Sequence, residues 1–351
     1  MYEAIIRIFY PLEEGKMVIH SEKNWSHGIE PVSVDKDRHC YEFHVCHDKY
    51  YLSFKPCIRL GSRLLWSRGM NKLAIMDMPE VQDFYPYFYD SEEGTITDIM
   101  ELPSSVFNMK RKLRIYMPPG YNENILKRYS VLYMHDGKNL FFPEEAFLGQ
   151  DWKINNTLEL LDRMNFIDQS IVVGVYAEDR FNEYTKPGYE TYGRFMVEEL
   201  KPWIDGNYRT MQGRENNFIM GSSLGGVLSF YLAWQWPEVF GGAACLSSTF
   251  SWHDDLIERV EKEPLHGRAK LKFYLDSGWP SDNYEVTLKM AMTLISRGYN
   301  LGRDFLYLAF PLASHSESAW GERAHIPLQL FAGKVSRTEL PGNFFVRLSD
   351  E

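Results

Sequence analysis

Gly221-Ser222-Ser223-Leu224-Gly225 fits the pattern G-x-S-x-G, and it is the stretch of this chain whose residue types and spacing point most directly to chemistry. Glycines on either side let the backbone turn sharply without side-chain collisions. The Ser223 hydroxyl then stands clear at the head of the next helix, where negative charge is favoured. Such a serine is suited to nucleophilic attack on a carbonyl, provided a base removes its proton, because an alcohol is almost entirely protonated at neutral pH. The plain alternative is an ordinary tight turn before a helix.

Where a serine sits on such an elbow, its partners follow in the order Ser, Asp or Glu, His. Of the ten histidines only His253, His266, His315 and His325 come after Ser223. His315 lies in Pro311-Leu-Ala-Ser-His-Ser-Glu317, just after an expected strand over 305–310, and loops at the carboxyl ends of strands build the site in open α/β sheets. His315 is therefore preferred as the base, with a surface-loop histidine as its plain reading. Two aspartates compete to hold it. Asp276 ends the expected strand 271–275, and Asp282 lies in the loop beyond. A loop carboxylate can swing toward the imidazole, so Asp282 is preferred and Asp276 is assigned to bracing the loop.

An oxyanion hole needs two backbone N–H groups aimed at the developing alkoxide. Leu224, next after the nucleophile, supplies one. The loop closing the strand 131–134 supplies the second, from among Asp136, Gly137 and Lys138. His135-Asp136-Gly137 also reads as half of a metal site, but no second His/Asp cluster stands at ligand spacing, so neither metal nor cofactor is expected.

These residues need a scaffold. Strands are expected over 113–117, 131–134, 171–176, 217–220, 271–275 and 305–310. Helices are expected over 155–164, 192–204, 225–235 and 284–297, with one more beginning near Ser316. Ile171-Val-Val-Gly-Val-Tyr176 has no polar face, as befits a buried parallel strand. Strands alternating with helices over this length indicate an α/β fold with a mostly parallel sheet. The first 85 or so residues read differently: short strands at 4–10, 17–20, 40–46, 50–54 and 72–76, punctuated by Gly, Pro, Asn and Asp, indicate a small all-β sandwich. The junction falls in the Pro- and acid-bearing stretch 84–94, so the reading is a β module over 1–90 and a catalytic domain over 91–351.

A chain of 351 residues is long for a single core, and a hydrophobic content of 44% supplies ample core material. A net charge of −10 without a Lys/Arg-rich run argues against nucleic-acid binding. Four cysteines without a CxxC pair make neither a disulfide framework nor a zinc site. Neither a leader peptide nor an apolar run long enough to cross a bilayer is read here, so a cytoplasmic protein without membrane contact is expected.

Several stretches in order resemble the family of esterases on the α/β-hydrolase fold that includes esterase D, feruloyl-esterase-type modules and the ferric enterobactin esterases. They are Tyr116-Met-Pro-Pro-Gly-Tyr121, 131–139, Arg180-Phe-Asn-Glu-Tyr184, 204–210, 219–226 and 314–320. The resemblance covers about 95 to 335 and implies a carboxyl-ester hydrolase that uses no metal. It also offers Arg180, Tyr184 and Trp320 as substrate contacts. Many members carry a Glu in a Gly-x-x-Glu loop where this chain has Asp282 one residue further along, which leaves the acid the least secured role. The amino-terminal part is similar to the Ig-like or starch-binding-type modules that precede some of these esterases. Trp25 and Trp66 fit a glycan contact, although packing of both rings into the sandwich core is preferred.

The reading is a serine esterase acting through an acyl-enzyme on a small or aryl/acyl ester. One alternative is a siderophore-lactone esterase, for whose catecholates Arg180, Lys186 and Arg194 are the available cations. The other is a binding protein on a hydrolase scaffold that has lost catalysis.

Overall fold

The structure, a computed structural model, describes residues 1–77, 81–265, 268 and 271–333. The chain forms two compact units. One comprises 1–95 with 117–128 and 162–165, and the other comprises the rest.

The first unit is built from strands in two sheets. One sheet runs in the order 33–35, 40–47, 2–9 and 82–84; the other in the order 24–29, 16–21, 51–60 and 63–66, with 72–75 also on 51–60. Alternating residues of both sheets, among them Ile6, Ile8, Ile19, Phe43, Phe54 and Ile58, meet in one core. Two polar side chains of residues 117–128 help tie that segment into this unit. The Glu123 carboxylate accepts from the Tyr10 hydroxyl and from the N–H groups of Phe88, Tyr89 and Asp90. Asn124 Nδ2 donates to the carbonyls of Phe9 and Pro86. Trp25 and Trp66 stand outside the core, 37% and 38% exposed. Pairing explains Trp66: it lies opposite Cys57, and the adjacent Ile58 points to the core face.

The second unit carries a nine-stranded sheet. Its strands are β1 (Thr95–Ile96), β2 (Met100–Ser104), β3 (Met109–Met117), β4 (Ser130–Met134), β5 (Ser170–Val175), β6 (Asn217–Ser222), β7 (Gly242–Leu246), β8 (Lys272–Trp279) and β9 (Phe305–Pro311). The order is β1-β3-β5-β4-β6-β7-β8-β9, with β2 on β3. From β5 to β9 every pairing is parallel, and β3 runs antiparallel to β5. Strands β4 to β7 are buried along their whole length, as central strands covered on both faces must be. The expected α/β-hydrolase fold is the one observed. β7 escapes the sequence reading because Gly242-Ala-Ala-Cys-Leu246 is rich in small residues of weak strand preference.

Nine α-helices accompany this sheet among the described residues: α1 (Ile154–Arg163), α2 (Arg180–Tyr184), α3 (Gly188–Arg194), α4 (Lys201–Asn207), α5 (Leu224–Gln235), α6 (Leu256–Lys262), α7 (Tyr284–Ser296), α8 (Glu317–Arg323) and α9 (His325–Ala332). The helix expected over 192–204 is longer. α3 and α4 are joined by a π-helical stretch, Phe195–Leu200, so the rod spans 188–207.

Strand order places the site. The chain leaves β4 for β5 on one side, then returns to β6 on the other. The crevice at this reversal lies beyond the carboxyl ends of β4 and β6, where open α/β sheets bind ligands. Residues 135–139 and Ser223 are the segments found there.

Candidate functional site

Ser223 links β6 to α5 with φ 57° and ψ −122°, a conformation that L-residues seldom adopt. The turn is held because the Ser223 N–H donates to the Leu246 carbonyl at 2.8 Å. Packing explains Gly221 and Gly226. A Cβ on Gly221 would stand 2.6 Å from the Gly225 backbone, and one on Gly226 would stand 2.1 Å from Ser248 Oγ. Leu224 opens α5, so its N–H has no partner within the helix.

His315 Nε2 lies 3.0 Å from Ser223 Oγ, and His315 Nδ1 lies 2.5 Å from Asp282 Oδ1. Asp282 and Asn283 both have positive φ, 63° and 61°, a turn that Asp and Asn tolerate and that turns the carboxylate back toward β8. The other oxygen, Asp282 Oδ2, accepts from Ser247 Oγ at 2.6 Å and from the Gly278 N–H at 2.9 Å. Burial alone would raise this carboxyl, but the hydrogen bonds from His315, Ser247 and Gly278 outweigh it and hold Asp282 below the ordinary carboxylate value. A serine, an imidazole and an ionised carboxylate in line can pass a proton from the alcohol to the ring.

Asp276 is placed differently. β8 runs on to Trp279, so Asp276 is inside the strand and its side chain is buried. Its carboxylate takes the Arg323 guanidinium at 2.9 and 3.0 Å and the Tyr274 hydroxyl at 2.8 Å. His253 packs against Phe181 and Trp252, His325 opens α9 beside Gln329, and His266 lies outside the described residues.

In the loop after β4, Asp136 has φ 54° and its N–H donates to the Tyr184 hydroxyl at 3.1 Å. Its carboxylate receives Arg180 Nε and Nη2 at 2.8 and 2.9 Å, and Arg180 Nη2 also reaches the Ser222 carbonyl at 3.3 Å. Gly137 and Lys138 form a short 3-10 turn with Asn139. Tyr184 is wholly buried, and its hydroxyl accepts the Asp136 N–H. Trp320 is buried as well: its ring meets the His315 ring edge-on at 4.8 Å, and its Nε1 donates to Ser247 Oγ at 2.9 Å. Arg180 keeps partial exposure.

Two residues outside the sequence reading complete the frame. Ser247 follows β7, and Glu317 opens α8 two residues after His315. Glu317 accepts from Asn139 Nδ2 at 2.9 Å and from Trp152 Nε1, which ties the histidine loop to the loop after β4. Burial, reinforced by the charge on Asp136, pushes its carboxyl up to about 7. His315-Ser-Glu-Ser-Ala-Trp320 held the signal for Glu317; nothing around Ser247 marks it. Arg111 of β3 pairs with Glu183 of α2 at 2.6 and 2.7 Å, both buried, against the rings of Phe107, Tyr192 and Phe195. This pair anchors α2, which carries Arg180 and Tyr184.

Exposed apolar side chains occupy the segments beyond the strand ends: Phe147 and Leu148 after β4, Phe181 in α2 after β5, Trp252 after β7, with Trp279 closing β8 and Leu312 just past β9. Phe181 and Trp252 touch edge to face at 5.6 Å, and the Leu312 N–H donates to the Trp279 carbonyl at 2.8 Å. Among the described residues no three His, Cys, Asp or Glu side chains are grouped to hold a metal ion. Nor is any helix there long and apolar enough to cross a membrane.

Comparison with known proteins gives these geometries a context. The profile of the family described as "Putative esterase" matches residues 104–325. An uncharacterised Bacillus subtilis protein, YjcH, is 33% identical over 176 residues, which are 49% of this chain and 68% of that one. An endo-1,4-beta-xylanase/feruloyl esterase of Xylanibacter ruminicola is 28% identical over 172 residues, 47% of this chain and 23% of that longer protein. Among solved structures, a ferulic acid esterase aligns with TM-score 0.59 and 17% identity, covering 68% of this chain and 98% of that one. The enterobactin esterase FES from Shigella flexneri aligns with TM-score 0.53 and 12% identity, covering 93% of this chain and 92% of that one. At these identities the structural likenesses speak for the fold.

Proposed function

The chain belongs to the Esterase family of carboxylic ester hydrolases, and on that premise we propose that it works as a serine esterase through an acyl-enzyme. The observation that carries this reading is the line from Ser223 Oγ through the His315 ring to Asp282 Oδ1, at 3.0 and 2.5 Å. Ser223 attacks the ester carbonyl while His315 Nε2 takes its proton. The oxyanion forms facing the Leu224 N–H and the turn at Gly137 and Lys138, since Tyr184 already engages the Asp136 N–H. His315 returns the proton to the departing alcohol. Water, deprotonated in turn by His315, then releases the acid. Asp282 holds the ring so that Nε2 faces the serine and stabilises its imidazolium.

The apolar side chains of Phe147, Leu148, Phe181, Trp252, Trp279 and Leu312 favour an ester with an aryl or other apolar group, received across the mouth of this crevice. A siderophore lactone is supported less. Arg180, Lys186 and Arg194, the cations available for catecholates, are paired with Asp136, Asp255 and Glu198. Arg180, Tyr184 and Trp320 act on the substrate indirectly in this reading, by holding Asp136 and His315. The four cysteines are all free thiols, which supports a reducing, cytoplasmic compartment.

The test is turnover of p-nitrophenyl acetate, feruloyl and lactone esters by the wild type and by Ser223→Ala. The expected result is release by the wild type and a loss of at least about 10⁴-fold in the variant. Equal rates in both would overturn the reading, and wild type unlabelled by a fluorophosphonate would favour a non-catalytic scaffold.

For the amino-terminal unit a glycan contact is the second reading. It is favoured by the two half-exposed tryptophans, whose ring centroids stand 6.4 Å apart. Retardation of the protein in gels containing xylan or starch, lost in Trp25→Ala and Trp66→Ala, is the expected outcome. Equal migration of all three proteins would refute it.

A further inference from the structure

Ser247, placed just past the end of β7 with φ 45°, is surrounded by groups that leave its hydroxyl a single orientation. Trp320 Nε1 donates to Ser247 Oγ at 2.9 Å, and Arg323 Nη2 donates to it at 2.6 Å. A serine hydroxyl has two acceptor lone pairs and one proton. Both lone pairs are filled by groups that can only donate, so the proton has one place left to go. Asp282 Oδ2 lies there at 2.6 Å. The backbone of Ser247 is tied as firmly, its N–H donating to the carbonyl and Oδ1 of Asp276 at 2.9 and 3.1 Å. Its carbonyl accepts from Asn283 Nδ2 at 2.7 Å.

We infer that Ser247 is a positioning residue through which Trp320 and Arg323 orient the Asp282 carboxylate toward His315. The chain of contacts is continuous. Asp276 fixes Arg323 in the buried space beneath the site, and Arg323 and Trp320 fix the Ser247 rotor. Ser247, with the Gly278 N–H, saturates Asp282 Oδ2, and only Oδ1 then remains for His315 Nδ1. Arg323 Nη2 stands 3.8 Å from Asp282 Oδ2, so its charge also favours the ionised carboxylate. Trp320 and Arg323 lie three residues apart on α8, on one face of the helix that follows His315. One short helix thus controls the imidazole from behind and the carboxylate from below.

This inference rests on the esterase reading, and the experiment separates the two. Ser247→Ala removes the hydroxyl. Ser247→Gly removes it too while relieving the positive φ, so it guards against a variant that fails to fold. Both are expected to lose kcat by about 10²-fold with KM within about twofold, as a misplaced catalytic group does. Both should also move the acid limb of kcat/KM to lower pH, because a less well-aimed Asp282 stabilises the imidazolium less. Proton NMR without substrate supplies a readout independent of turnover. The His315 Nδ1–H should resonate far downfield of the amides in the wild type, vanish in His315→Ala, and move upfield in both Ser247 variants. An unchanged resonance, kcat and acid limb in Ser247→Gly would overturn the positioning role and leave the esterase reading standing. Turnover unaffected by Ser223→Ala would instead sink the esterase reading, while a Ser247-dependent His315 resonance would still establish the positioning geometry.

Discussion

The Arg323 guanidinium lies against Asp276 at 2.9 and 3.0 Å, with both side chains buried, whereas its distance to Asp282, six residues further on, is 3.8 Å. One cation therefore serves two carboxylates unequally, and the inequality separates their roles. Asp276 neutralises Arg323, and Asp282 is left to answer His315.

Substituting the two aspartates should accordingly give different phenotypes. Asp282→Asn is expected to lower kcat by roughly 10³–10⁴-fold with little change in melting temperature, because the ring loses its orienting acceptor while the fold keeps an isosteric side chain. Asp276→Asn leaves Arg323 buried without its counter-charge and is expected to destabilise by about 3–5 kcal/mol. Thermal melts and steady-state kinetics on both variants make the comparison; equal melts would refute it.

Glu317 should make stability depend on pH. Its carboxyl is raised from 4.5 to about 7 in the folded chain, so between these values the folded state holds a proton that the unfolded state has released. The protonated form's stability is complete below pH 4.5 and is lost as pH rises through about 7. The wild type should therefore lose melting temperature relative to Glu317→Gln across this window. A constant difference between the two proteins would contradict the assignment.

The Arg111–Glu183 pair is buried, and breaking it should cost more than any surface ion pair. Glu183→Gln is expected to destabilise by about 3 kcal/mol or more in urea titrations, since the guanidinium stays among Phe107, Tyr192 and Phe195 without its carboxylate. Activity should fall with it, because α2 also presents Arg180 to Asp136. A variant as stable and as active as wild type would rule this out.

At Gly137 a Cβ would stand 2.6 and 2.7 Å from the Gly174 carbonyl carbon and oxygen and 2.8 Å from Tyr176 Cδ2, so the Gly174 backbone itself would have to shift. Gly137→Ala should push the loop away from β5 and with it the N–H groups proposed to face the oxyanion. A fall in kcat of about 10²-fold, with a smaller change in KM, is expected. Unimpaired kcat would place the second oxyanion donor elsewhere.

Much of this molecule is legible along the chain. The glycines around Ser223 announce the elbow because no larger residue survives within 3 Å of Gly225 or Ser248. The apolar run 171–176 announces a buried strand, and the order of Ser223, Asp282 and His315 follows from the order of strand ends. Residue type and spacing along the backbone are enough for such features. Other features depend on which strands become neighbours. Asp276 and Asp282 are both plausible acids until β8 is seen to continue through Asp276 and turn it toward Arg323, 47 residues away. Ser247 looks like any serine in Leu246-Ser-Ser-Thr249 until β7 lies beside β8 and α8 packs beneath, bringing Trp320 and Arg323 to its hydroxyl. Trp66 reads as core or surface alike until strand register sends it outward. The sequence by itself determined the class of fold and pointed to Ser223 and His315 as the proposed nucleophile and base, because local pattern carries these. Tertiary structure alone decided which carboxylate stands against the His315 ring and what holds it there. Those roles depend on buried contacts between residues far apart in the chain, and no spacing rule relates them.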